Sequence, residues 1–153
     1  MERVAPHDMS NHRWIKAFLI GAFVLFVGAQ LVPYRVHNHP TVSEPNWDSP
    51  RTRALAVASC SACHSNATKT RGFEQVAPLS WWITNHVDEG RAALNFSDCA
   101  ANREHESAEA VREGSMPPSY FTWFGMHSEA KLSATERRAL ADGLEATARL
   151  GCQ

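Results

Sequence analysis

The chain is short of the features that mark several large protein classes. Four cysteines in 153 residues are too few for a disulfide scaffold, so their spacing (60, 63, 99 and 152) becomes the question. An excess of charge of one sign is missing too: 15 Lys+Arg stand against 16 Asp+Glu, which excludes a nucleic-acid binder relying on a broad basic surface. No alternating strand pattern and no internal repeat occurs. What is present excludes disorder throughout, since 44% of residues are hydrophobic and five are Trp. The length allows one modest domain plus appendages.

Long apolar runs are scarce as well, with one exception. Ala17 to Val32 (AFLIGAFVLFVGAQLV) carries no charge, with Arg13 and Lys16 just before it. Trp14 and Ile15 extend the run toward the roughly 20 residues needed to span a bilayer, and Lys16 can snorkel to the interface. A single signal anchor with its N-terminus inside is the expectation. A cleaved signal peptide competes with it, because Val27-Gly28-Ala29 resembles a small-residue cleavage site. A buried soluble helix is the weaker alternative, since the stretch is not amphipathic. Under either leading reading the remainder is exported.

Pro33 to Pro50 (PYRVHNHPTVSEPNWDSP) holds four prolines and no periodic pattern, and reads as a linker that lies against or beside the domain. Thereafter helices are predicted. Arg51 to Ser59 has Ser49 as N-cap and Pro50 at the first helical position. Leu79 to Leu94 repeats Leu79, Ile83 and Val87 at spacing four. Glu104 to Glu113 has the charge pattern of a solvated helix face. Ser133 to Glu136 forms a capping box ahead of a final helix closed by Gly151.

The motif that carries chemistry is Cys60-Ser61-Ala62-Cys63-His64, the C-x-x-C-H signature of covalent c-type haem attachment. Two thiols one helical turn apart reach both haem vinyl groups while the adjacent imidazole reaches the iron. A thioredoxin-like pair would be expected near a βαβ pattern, which is absent, and a zinc site needs about four N or S ligands. One such motif means one covalent haem. The leading candidate for the sixth iron position is Met116 in Gly114-Ser115-Met116-Pro117-Pro118, where two prolines stiffen the loop. Met126 is the alternative, followed by His127, His86 and His105. A Met ligand closes the iron to small substrates and favours electron transfer over catalysis.

Cys99 and Cys152 are left over, and in an oxidising compartment a disulfide between them is possible. Trp81, Trp82, Tyr120, Phe121, Trp123 and Phe124 flank the two ligand loops and read as packing around the macrocycle. A Trp indole, the Tyr120 hydroxyl or Arg71 can donate to a haem propionate. The Pro78 region is a candidate to supply the carbonyl that orients the His64 ring. Asn66-Ala67-Thr68 and Asn95-Phe96-Ser97 fit the glycosylation acceptor pattern but are short and discounted.

Together these residues resemble the bacterial haem-binding-domain family of membrane-anchored or exported single-haem c-type cytochromes. The resemblance is carried by Glu44-Pro45-Asn46-Trp47-Asp48-Ser49-Pro50, Cys60 to Thr68, Ala77-Pro78-Leu79-Ser80-Trp81-Trp82, His86 to Arg91, Leu94 to Ser97 and Arg112 to Pro118. Met126-His127-Ser128-Glu129-Ala130 matches as well. The resemblance implies an all-α, cytochrome c-like haem domain, His64 as proximal ligand and Met116 as distal ligand. It gives no support to a Cys99–Cys152 disulfide. The expected organisation is a cytoplasmic tail over 1–13, a transmembrane anchor over 14–33, a Pro-rich linker over 34–50 and the haem domain over 51–153. The expected function is one-electron transfer beside an integral membrane redox complex or other cytochromes. The expected location is the bacterial inner membrane, with the haem domain on its periplasmic side. A haem-based gas sensor or peroxidase-like enzyme with an open sixth site, and a structural subunit with incidental haem, are the alternatives.

Overall fold

The computed structural model describes residues 9–99 and 104–153. Most of the tail expected over 1–13, and the side chains of His105 and Phe124, lie outside the described residues. Helix α1 (Met9–Gln30) carries most of the uncharged run, and up to its last turn it stands clear of the rest of the chain. It is long and apolar enough to cross a membrane. The other helices are α2 (Pro50–Ser59), α3 (Ser61–His64), α4 (Leu79–Ala93), α5 (Glu104–Glu113) and α6 (Ala134–Ala148), with single 3-10 turns at Gly72–Gln75, Ser119–Gly125 and Ser128–Ala130. Among the described residues the only β pairing is two isolated bridges. The fold is all-helical, as expected.

Local sequence explains the helix ends. The Ser49 hydroxyl accepts the Thr52 N–H at 3.2 Å and Pro50 opens α2, where a missing N–H costs nothing. Ser133 and Glu136 cap α6 reciprocally: the Glu136 N–H donates to Ser133 Oγ at 3.2 Å and the Ser133 N–H to the Glu136 carboxylate at 2.8 Å. Helix α4 forms where predicted, but its buried face is Ser80, Thr84 and Val87, while Leu79 stays 41% exposed. Of the three residues at spacing four, Val87 is buried, Ile83 half-buried and Leu79 exposed.

The core is small. Ala56 of α2, Leu94, Phe96, Ala108 and Val111 of α5, and Leu140, Ala141 and Leu144 of α6 pack together, with Trp47 against them. Burying a Leu or Val side chain there contributes about 1.5–3 kcal/mol. Helices α2 and α6 meet where the Thr52 side chain sits against Gly143, and any side chain on residue 143 would collide with it. Arg112 pairs with Asp142 and Glu145 across the α5–α6 seam.

The segment 34–50 lies along the domain rather than hanging from it. Asn38 donates to Thr68 O at 2.8 Å, the Val42 N–H to Ser97 O at 2.8 Å, and the Asn46 N–H to Gly151 O at 2.9 Å. Pro45 is among the most completely buried side chains. Cys99 is disulfide-bonded to Cys152, tying the middle of the chain to its end beside this strap.

Candidate functional site

The Cys60–His64 turn is built by a break between two helices. Cys60 donates its N–H to Ala56 O at 2.9 Å, then departs from helical backbone at φ −123°. Helix α3 restarts at once, and the N–H groups of Cys63 and His64 both donate to Cys60 O, at 3.1 and 2.9 Å. One short turn thus presents two thiols and an imidazole. Both thiols are free and half-buried. Burial pushes the Cys60 thiol up to about 11 and raises that of Cys63. A thiol–disulfide exchange motif needs the opposite, a depressed thiol. Among the described residues no group of three or more His, Cys, Asp or Glu is placed to hold a metal ion. Neither competing reading of the Cys pair gains support among the described residues.

His64 Nδ1 lies 3.0 Å from Leu94 O. A carbonyl only accepts, so Nδ1 carries the proton and Nε2 the lone pair, the tautomer an iron ligand requires; the Gly90 carbonyl also lies within hydrogen-bonding reach of the ring. Burial lowers the His64 pKa, which keeps the ring neutral. The orienting carbonyl is thus Leu94 and not that of the Pro78 region: Pro78 O is used by the N–H groups of Trp81 and Trp82, at 3.1 and 3.3 Å, in the first turn of α4. Spacing in the sequence does not show that the end of α4, and not its beginning, returns to the imidazole.

Helix α4 comes close enough to do this only because residue 90 is glycine. A Cβ on Gly90 would sit 2.7 Å from Cys63 O. Around the turn runs a buried polar network. Asn95 Nδ2 donates to Asn66 Oδ1 at 3.0 Å, the Asn66 N–H to Ser97 Oγ at 3.0 Å, and the Ser97 N–H to Asn95 Oδ1 at 2.9 Å. The two asparagines that fit the acceptor pattern are thus only 9% exposed and internally bonded. Arg91 closes the network, donating from Nε to Ser65 O at 2.8 Å and from Nη1 to His37 O at 2.6 Å, which fastens the strap to the turn.

The candidate distal residues are less enclosed than His64. Met116 donates its N–H to Ala110 O at 3.1 Å and accepts at its carbonyl from Arg137 at 3.2 Å, while the residue is 38% exposed. Met126 is half-buried. His127 has a left-handed backbone (φ 48°), stacks on Phe121 at 4.0 Å, and faces Glu74 and Glu129 with its two ring nitrogens at 3.5 and 3.4 Å. Both of its nitrogens are occupied. His86 turns Nδ1 to Trp82 O on its own helix. Trp82, His86, Tyr120 and Trp123 form an aromatic group over α4, with Tyr120 5.4 Å from Trp82 and within electrostatic reach of Cys63.

A family model described as a haem-binding domain matches residues 24–146, and the chain belongs to that family. No curated protein and no solved structure matches it significantly. The residues present fit a haem. His64 offers a bare Nε2, two free thiols adjoin it, and the indole N–H of Trp81 is buried without a hydrogen-bond partner. An unpaired buried donor is costly, so Trp81 suits an acceptor such as a propionate. Trp82 and Trp123 stay 48% and 57% exposed, apolar area that a macrocycle can cover.

Proposed function

We propose that this chain is a membrane-anchored, single-haem c-type cytochrome that passes one electron at a time. Cys60 and Cys63 hold the haem by thioether bonds, His64 Nε2 is the proximal ligand, and Met116 is the distal ligand, with Met126 as the alternative. The observation that carries the reading is the single C-x-x-C-H turn with the His64 ring locked through Nδ1 onto Leu94 O. The haem supplies the one-electron couple at its iron. The chain's own residues hold the imidazole neutral, aim Nε2, exclude water from the proximal side and present an aromatic edge at Trp82, Tyr120 and Trp123. A ligand ring that is fixed beforehand moves little when the charge on the iron changes.

Helix α1 anchors the domain at the bacterial inner membrane with the haem side periplasmic, beside an integral membrane redox complex or other cytochromes. Tethering raises the effective concentration toward such a partner, which suits a chain with no strongly charged steering face. Absorption spectra of both redox states test the reading. The expected result is a covalent haem that survives denaturation and a weak far-red sulfur-to-iron band that Met116→Ala abolishes and Met126→Ala retains. The exposure of Met116 favours one second reading, a haem sensor or peroxidase-like site whose sixth ligand is displaced. Rapid carbon monoxide binding by the reduced wild-type protein at neutral pH decides for that reading and against closed-shell electron transfer.

A further inference from the structure

The segment 69–79, between the haem-attachment turn and α4, has no role in the reading above, and its surface has an unusual make-up. Phe73, Val76 and Leu79 are 50%, 40% and 41% exposed. Lys69 and Arg71 are exposed beside them. The one acid of the stretch, Glu74, is turned inward: it is 8% exposed, accepts the Arg71 N–H at 2.6 Å and faces His127 at 3.5 Å. The outer face of this loop is therefore basic and apolar.

The loop is also fastened to the end of α1. Gln30, the last residue of that helix, donates from Nε2 to Ala77 O at 3.1 Å and accepts the Ala77 N–H on Oε1 at 2.9 Å, so both backbone groups of Ala77 are satisfied by one side chain. Arg35 adds bonds to Gln75 O and, at 3.5 Å, to Gln30 O. A loop clamped to the last turn of a membrane helix sits at the level where that helix leaves the hydrocarbon. Apolar and aromatic side chains flanked by Lys and Arg are what that depth favours.

We infer that residues 69–79 are a second membrane contact, with Phe73, Val76 and Leu79 entering the interface of a bilayer and Lys69 and Arg71 facing anionic phospholipid headgroups. The inference rests on the reading of α1 as a spanning anchor. With the loop seated, the haem domain has one fixed orientation on the surface and does not swing on its strap.

The test uses the full-length haem-loaded protein in nanodiscs containing a phospholipid with a diazirine high in its acyl chain, irradiated and mapped by peptide mass spectrometry. The expected cross-links fall on peptides of α1 and on residues 72–79. Replacing anionic by zwitterionic lipid is expected to lower labelling of 72–79 about thirtyfold, the equivalent of two basic side chains at the headgroup surface. Labelling of α1 alone overturns the second contact and leaves the spanning anchor standing. Absence of labelling from α1 overturns both. A Phe73→Ser/Val76→Ser/Leu79→Ser variant that loses this labelling while keeping the wild-type haem absorption bands supports lipid as the occupant. Loss of those bands instead assigns the three side chains to covering the haem edge, and the inference fails.

Discussion

The two flanks of the proposed iron site are built by different means. On the proximal side, His64, Asn66, Asn95, Ser97 and Arg91 are joined by directional hydrogen bonds, most of them buried, and α4 is pressed against Cys63 at a glycine. On the distal side, Met116 lies in the bend after α5 and Met126 just past the Ser119–Gly125 3-10 segment, with Met116 38% exposed, Met126 half-buried and local bonds such as Thr122 to Ser119 O. The difference matches what each side must do first. Under the proposed function, thioether formation would require two thiols and an imidazole to be presented together before any haem is present, so that geometry would come from the polypeptide alone. The distal loop closes over a surface that the cofactor itself completes, and dispersion contacts with a flat macrocycle need no directional partner beforehand.

The comparison is most sharply broken or upheld by removing a ligand from each side. Cys60→Ser combined with Cys63→Ser is expected to abolish covalent haem entirely, read as the loss of haem staining after denaturing electrophoresis. His64→Ala is expected to leave little or none. Met116→Ala is expected to retain normal covalent loading and change only the spectrum. Equal loss of loading from Met116→Ala would mean that the distal loop takes part in attachment, and the division between the two sides would not hold.

How much of this was legible in advance follows from the kind of interaction involved. The attachment turn, the caps Ser49 and Ser133, and the order of the helices are local, and local chemistry is written along the chain. The partner of His64 Nδ1 was not: Leu94 lies 30 positions away and reaches the ring only because Gly90 lets α4 approach Cys63. Arg91 offers no motif either, and its role as a clamp depends on where the strap passes. Asn66 and Asn95 carried a surface-modification pattern, whereas burial makes them structural. Leu79, one of the three residues whose spacing predicts α4, is exposed beside the segment clamped to α1, a tertiary arrangement that a 3.6-residue period does not encode. Strap, network and clamp are all long-range, and long-range pairing is what a single sequence leaves open.

Two glycines give the next contrast. Gly90→Ala puts a methyl group 2.7 Å from a backbone carbonyl in a packed seam. It is expected to cost about 2–3 kcal/mol, the upper part of the range for overpacking, and to lower haem loading as well. Gly125→Ala meets nothing within 4 Å but must adopt φ +74°, so its cost is the left-handed backbone alone, about 1–2 kcal/mol, with loading unchanged. Thermal unfolding and the haem-to-protein absorbance ratio of the two variants measure both halves. If Gly125→Ala is the more damaging, the distal turn is the tighter of the two.

The finest contrast is between single hydrogen bonds. Asn95→Ala removes the donor to Asn66 Oδ1 and the acceptor of the Ser97 N–H, leaving both partners buried and unpaired. Such groups cannot recover water, so a loss of about 1–3 kcal/mol is expected in denaturant unfolding, with an unchanged slope. Thr122→Ala removes an exposed 3.2 Å bond from Thr122 Oγ1 to Ser119 O, within one turn. Water replaces it, and the change is expected to stay within about 0.5 kcal/mol. If the two substitutions cost the same, the proximal network contributes no more than surface bonding. The fixed His64 ring would then have to be ascribed to the close approach of α4 at Gly90. A larger cost at Asn95 ties ring orientation to the network, because Asn95 adjoins Leu94 and holds the chain whose carbonyl accepts the His64 proton.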